Sequence, residues 1–191
     1  MTGERFTEVL KRIDAANAAD PEAAMDGAES QPAALLYGRR MSAELVRFHG
    51  EASELLRIAV RGQHIERWKL ARAAYPEGRE GYLAWRRDQG RSHGDRVAGL
   101  MRDIGYAPDD CDRVALIIRK QGIKRDAEVQ VLEDVACLVF LRWYFAGFAE
   151  GRDAEQVARI VAKTARKMSA EGRAAAAALD LPAGLGPALE V

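Results

Sequence analysis

The fourteen residues from Val135 to Phe148 carry a single charge, Arg142, and they constrain the fold more than any other stretch. A bilayer core about 30 Å thick needs roughly 20 apolar residues of helix, so this run is too short to cross one comfortably. A helix that is apolar nearly all round must instead be enclosed by other elements. The run is expected to form a core helix over about 126–149, opened by Asp126 and stopped by Gly151. The rest of the chain must supply the faces that surround it.

Those faces recur at helical spacing. Phe6, Val9, Leu10, Ile13 and Ala16 form one stripe, ended at Asp20-Pro21 because proline pushes its predecessor out of the helical region. Residues 19–31 show no periodicity and read as a loop. Pro32 suits the first turn of a second helix carrying Leu35, Leu36, Met41, Leu45 and Phe48. Ser53 is a capping residue for a third, whose inner face steps through Leu56, Val60, His64 and Trp68. Beyond the turn Tyr75–Gly78, a helix from about Glu80 is expected to break near Gly90 and resume from Ser92 to Ile104. Helix 110–120 follows. After the core helix, Asp153 caps a last long helix running into the alanines 174–178, and Pro182 leaves a short tail over 182–191. No segment alternates as a strand would. The expectation is an all-α chain, a single domain over 1–191 with about seven helices, a length that buries a sizeable core without staples.

Lysine plus arginine and aspartate plus glutamate both total 29, so no global charge points to nucleic acid or to a membrane surface. Local charge is less even. From Arg57 to Arg96 ten basic residues face five acidic ones, interleaved with Trp68, Tyr75, Tyr82 and Trp85, and Lys163 to Lys167 is a second basic cluster. Two cysteines and the lack of a basic start followed by an apolar stretch favour a reduced, cytoplasmic setting without a membrane partner.

Three polar groups interrupt this apolar frame. His64 continues a core-facing stripe, His93 follows the capping serine Ser92, and Glu133-Asp134 sit in the core helix, where Gln130 and Asp134 share a side. A buried carboxylate is costly unless paired or bound to a metal. Two imidazoles with one or two carboxylates suit a divalent transition metal, which would turn bound water into a nucleophile. The plainer reading is a structural network: an interior histidine with ordinary hydrogen bonds, Asp134 paired with a buried arginine such as Arg67, Glu133 in solvent. Spacing alone leaves both open, because HExxH, paired CxxC and a glycine-rich phosphate loop are all missing.

Several strings together are more specific. Ile13 to Asn17 with Asp20-Pro21, Gln63 to Trp68, Gly81 to Arg86, Leu132 to Phe140, and Lys163-Thr164 with Lys167 to Ser169 resemble the uncharacterised domain of unknown function (DUF) 4202 family over nearly the whole chain. That family brings no established activity. A weaker likeness is to the HD superfamily of helical metal-dependent phosphohydrolases, which use a histidine, an adjacent His-Asp pair and a distant aspartate. His64, His93 and Asp134 follow that order, but Gly94 stands where the tandem aspartate would be. The likeness implies an HD-like architecture and hydrolysis of a phosphorylated small molecule or nucleotide. A divalent ion would sit on His64, His93 and Asp134, Glu133 would act as further ligand or general base, and Arg67, Lys163 and Lys167 would neutralise phosphate. The rival expectations are a non-catalytic RNA or polyanion-binding module, using the two basic stretches, and a structural or interaction protein.

Overall fold

The computed structural model describes residues 2–181 and 186–190. It is predominantly helical, as the periodicities predict. In chain order come α1 (Thr2–Asn17), a hairpin of β1 (Ala23–Asp26) and β2 (Glu29–Pro32), α2 (Ala33–Phe48), α3 (Glu54–Gly62) and α4 (Gly78–Arg102). There follow α5 (Pro108–Ile118), α6 (Ala127–Val139), a π-helical turn Phe140–Tyr144, α7 (Phe145–Ala149), α8 (Ala154–Ala165), α9 (Ala170–Ala177) and a 3-10 turn Gly186–Leu189. The expected core helix is α6, the π-turn and α7 in continuous succession. Asp126 caps it, its carboxylate accepting from the N–H groups of Glu128 and Val129 at 3.1 and 3.2 Å. Ser53 and Asp153 cap α3 and α8 in the same way.

The central rod separates two apolar clusters. On one side Leu132, Val135 and Val139 meet Val9 and Ile13 of α1, Met41 of α2, Ile58 and Val60 of α3, Met101 of α4 and Ile117 of α5, all shielded from water. On the other, Leu138, Leu141 and Phe145 meet Val157 and Val161 of α8, Met168, Ala176 of α9 and Leu189. Of the tail expected over 182–191, residues 182–185 and 191 lie outside the described residues, and Leu189 docks in this second cluster. Among the described residues no helix is long and apolar enough to cross a membrane.

Four expectations change. The loop over 19–31 contains a four-residue hairpin with Ala23 opposite Pro32 and Asp26 opposite Glu29. Most of its residues face water on both sides, so its sequence has no reason to alternate. Helix α3 stops at Gly62, so His64 lies in a turn rather than on a helix. Helix α4 runs 25 residues without the break expected near Gly90. Gly94 serves packing there: a Cβ at that position would lie 3.0 Å from the Ala115 carbonyl oxygen of α5. The last long helix divides into α8 and α9 because Ser169 caps a new start, accepting from the Gly172 N–H at 2.9 Å.

Candidate functional site

A cleft of about 910 Å³ opens between α2, the turn after α3, α4, the end of α5, the core helix and α8. Helix α4 builds one wall with residues one turn apart: Trp85, Gln89 and His93. These side chains also fix the backbone opposite. Gln89 donates to the carbonyls of Arg67 and Leu70 at 3.0 and 2.9 Å, and the Trp85 indole N–H donates to Leu70 at 2.9 Å. The turn itself is bent by Glu66, held in the left-handed region at φ 52° with its N–H donated to the Asn17 side chain at 3.0 Å. Such a conformation is uncommon for a residue with a Cβ and persists only where its surroundings impose it. The result aims Arg67 into the cleft, its guanidinium 4.7 Å from the centroid of Trp85.

Two imidazoles lie side by side in this space. His64 stacks on Tyr37 with ring centroids 4.4 Å apart, and His93 stands 5.8 Å from His64. Burial, then the Arg67 charge, hold His64 well below the ordinary histidine range. The same two causes bring His93 down to about 4, against the opposing pull of the Ile65 carbonyl and Glu66. Both rings are therefore neutral at pH 7. His93 is 3% exposed, and neither of its nitrogens has a hydrogen-bond partner of good geometry among the described residues. The side-chain oxygen of Gln89 is orphaned in the same way. Buried polar groups are normally satisfied by protein or by ordered water, so these atoms are free to bond to water or to a molecule in the cleft.

Glu133 lines the same cleft from the core helix. Burial alone would raise its carboxyl, but the charge and hydrogen bond of Lys120, followed by Lys167 and Arg86, hold it below its ordinary value. Lys167 approaches it at 3.9 Å. Cys137, one turn on, has its thiol pushed up to about 12 by burial and by Glu133, and is no nucleophile at neutral pH. Arg67 and Arg86 have no carboxylate partner among the described residues, and Arg86 instead donates to the Tyr82 hydroxyl at 3.2 Å.

His64, His93, Glu133, Arg67 and Lys167 thus share the cleft. Asp134 and Lys163 do not line it. Asp134 accepts from the Ser169 N–H at 2.9 Å and the Gln130 amide at 3.0 Å, beneath Gly172 of α9. Lys163 is exposed on α8. The donor set expected for a divalent ion therefore does not converge, and among the described residues no group of three or more histidines, cysteines or carboxylates could hold one. Arg67, Lys120 and Arg86, which act on His64, would repel a cation and attract an anion. Of the basic stretch from Arg57 to Arg96, Arg61 is paired with Asp14 at 2.6 Å and Arg96 with Glu66 at 3.1 Å. Arg57 lies over Phe6. Arg67, Arg72, Arg86 and Arg87 border the cleft, the last two from exposed positions on α4.

The sequence profile of the family described as Domain of unknown function (DUF4202) matches residues 7–188. The chain belongs to this family. No curated protein and no solved structure matches it. The motifs Gln63 to Trp68, Gly81 to Arg86 and Leu132 to Phe140 each contribute side chains to the cleft, as does Lys167. The HD likeness rests on the order of His64, His93 and Asp134, which the fold divides between the cleft and the α6–α9 contact.

Tyr37, Gln89, Arg119 and Lys120 also line the cleft and escaped the sequence reading. Gln89 was legible in principle, lying one turn from both Trp85 and His93, but an assumed break near Gly90 hid that register. Lys120 adopts φ 57° just past the end of α5, and no sequence signal marks it.

Proposed function

We propose that this cleft binds a phosphorylated small molecule of nucleotide size and hydrolyses it. The observation that carries the reading is a group of cations in a cavity with an aromatic wall: Lys120, Lys167 and Arg86 act on the buried Glu133, and Arg67 lines the same space against Trp85. Its volume lies in the range of small-molecule sites, and arginine and lysine neutralise phosphate charge as it redistributes in the transition state. The uncharged His64 and His93 offer hydrogen bonds to a polar group of the ligand without adding to the positive field. Glu133, held ionised, is suited to orient a water molecule. In that step water oxygen attacks phosphorus, the bond to the leaving oxygen breaks, and a water proton passes to the carboxylate.

Calorimetry against nucleoside mono-, di- and triphosphates and sugar phosphates, paired with a phosphate-release assay, tests the proposal. At least one compound is expected to bind with a Kd below about 1 mM, roughly −4 kcal/mol. Arg67→Ala should weaken that compound tenfold or more, whereas Lys163→Ala should leave it unchanged. If no phosphorylated compound binds, the reading fails. If release occurs only with added Mn²⁺ or Mg²⁺ and vanishes in His64→Ala, catalysis returns to a metal on the imidazoles.

A further inference from the structure

We propose that the ligand carries two separated phosphate groups, the inner one held by Arg67, Lys120 and Lys167 and the outer one by Arg87, Arg91 and Arg119. This rests on the reading of the cleft as a phosphate site and adds the shape of what it accepts. A second depression of about 480 Å³ adjoins the cleft and shares Arg86, Arg87, Gly90 and Arg119 with it. Arg91 and Asp95 belong to the outer space alone. Four guanidiniums there face one carboxylate, Asp95, which is already bonded to Arg119. Arg87 reaches Asp88 at 3.5 Å, but its side chain is 69% exposed and the pair contributes little. Arg91 has no carboxylate partner among the described residues. Like charges lining one depression repel one another, and an anion between them relieves that repulsion.

Helix α4 arranges the two charge groups. Arg86 and Gly90 are one turn apart, as are Arg87 and Arg91, so both pairs run along the same side of the helix. Gly90 borders both cavities, and a Cβ there would lie 3.7 Å from the Arg119 Cα. With no side chain at this position, the neck between inner and outer spaces stays open. Arg86 joins them: its charge acts on His64 and Glu133 inside, and it lines the outer space as well. A nucleoside phosphorylated at both ends fits this layout, since its ring can meet the Trp85 wall while each phosphate meets a cation group. The same chemistry is found in a free bisphosphate and in a 5′-phosphorylated strand end.

Binding of a nucleoside 3′,5′-bisphosphate, a 5′-phosphorylated dinucleotide, the matching 5′-monophosphate and the matching 5′-diphosphate to the full chain decides the matter. At least one of the first two should bind ten or more times tighter than both the monophosphate and the diphosphate. The dinucleotide winning would identify a strand end, and the bisphosphate winning a free small molecule. Arg91→Glu should remove at least five-fold of that gain and leave monophosphate affinity unaltered, with Arg91→Lys restoring most of it. Equal affinity for the monophosphate and both doubly phosphorylated probes, or a gain that survives Arg91→Glu, would overturn the inference while the inner phosphate site stands. Failure of all four probes would instead remove the reading on which it rests.

Discussion

Glu133 and Asp134 are neighbours on α6, yet one faces the cleft and the other braces the fold. A step of about 100° around the helix separates them, enough to send Glu133 toward Lys120 and Asp134 toward the start of α9. Asp134→Ala removes the acceptor for the Ser169 N–H and the Gln130 amide, leaving the first part-buried without its partner. Stability is expected to fall by about 2 kcal/mol in urea melts, with ligand affinity in the cleft held within twofold. A metal role for Asp134 would show the reverse pattern, activity lost before stability. Glu133→Gln should abolish turnover and tighten an anionic ligand, because it deletes the negative charge beside Lys120 and Lys167. Loss of binding in that variant would mean that Glu133 holds the ligand instead of serving the reaction.

Helix α4 carries Trp85, Gln89, His93 and three of the lining arginines, Arg86, Arg87 and Arg91, and its position depends on close contact with α5. An alanine in place of a mid-helix glycine ordinarily stabilises by about 0.5–1 kcal/mol. At Gly94 the sign should invert, since the new Cβ meets Ala115 backbone at 3.0 and 3.3 Å and the Arg119 Nε at 3.1 Å. Gly94→Asp, which would supply the His-Asp pair of the HD pattern, should cost about 3 kcal/mol or more through overpacking and a buried charge. A Gly94→Ala melting temperature above the parent's would refute this account of the α4–α5 contact. The elements themselves were largely readable. Apolar periodicity located α1, α2, α5 and the core rod, and Ser53, Asp126 and Asp153 marked starts that the fold uses. What periodicity could not reveal was helix-helix approach: Gly90 looks like a breaker in sequence yet α4 runs straight through it, and Gly94 is a contact surface against α5. His64 continues the α3 stripe by spacing, yet the chain leaves the helix at Gly62, and the turn that follows is fixed by residues distant in sequence, Asn17 of α1 and Trp85 and Gln89 of α4.

Across the whole molecule, the buried imidazoles make stability depend on pH within a defined window. The His93 ring takes a proton at about 4 when folded and near 6.5 when unfolded. Between those values the unfolded chain binds the proton and the folded chain does not, so stability falls as pH falls through that range. His93 is nearly sealed from solvent, and its contribution to the loss between pH 7 and pH 5 is about 2 kcal/mol. His64, shifted in the same direction, adds to the effect. The depressed carboxyl of Glu133 also loses its stabilising contribution on acidification, but only below the ordinary glutamate range, so the two processes separate on the pH axis. Urea melts at pH 7, 6 and 5 should therefore show a steep decline in the parent and a visibly shallower one in His93→Gln, which cannot take up that proton. A bound phosphate dianion would offset the Arg67 and Lys120 charges that act on His64, raise both imidazole values and flatten the decline in the parent. Parallel pH profiles for parent and His93→Gln, with and without ligand, would place the source of acid sensitivity outside the cleft.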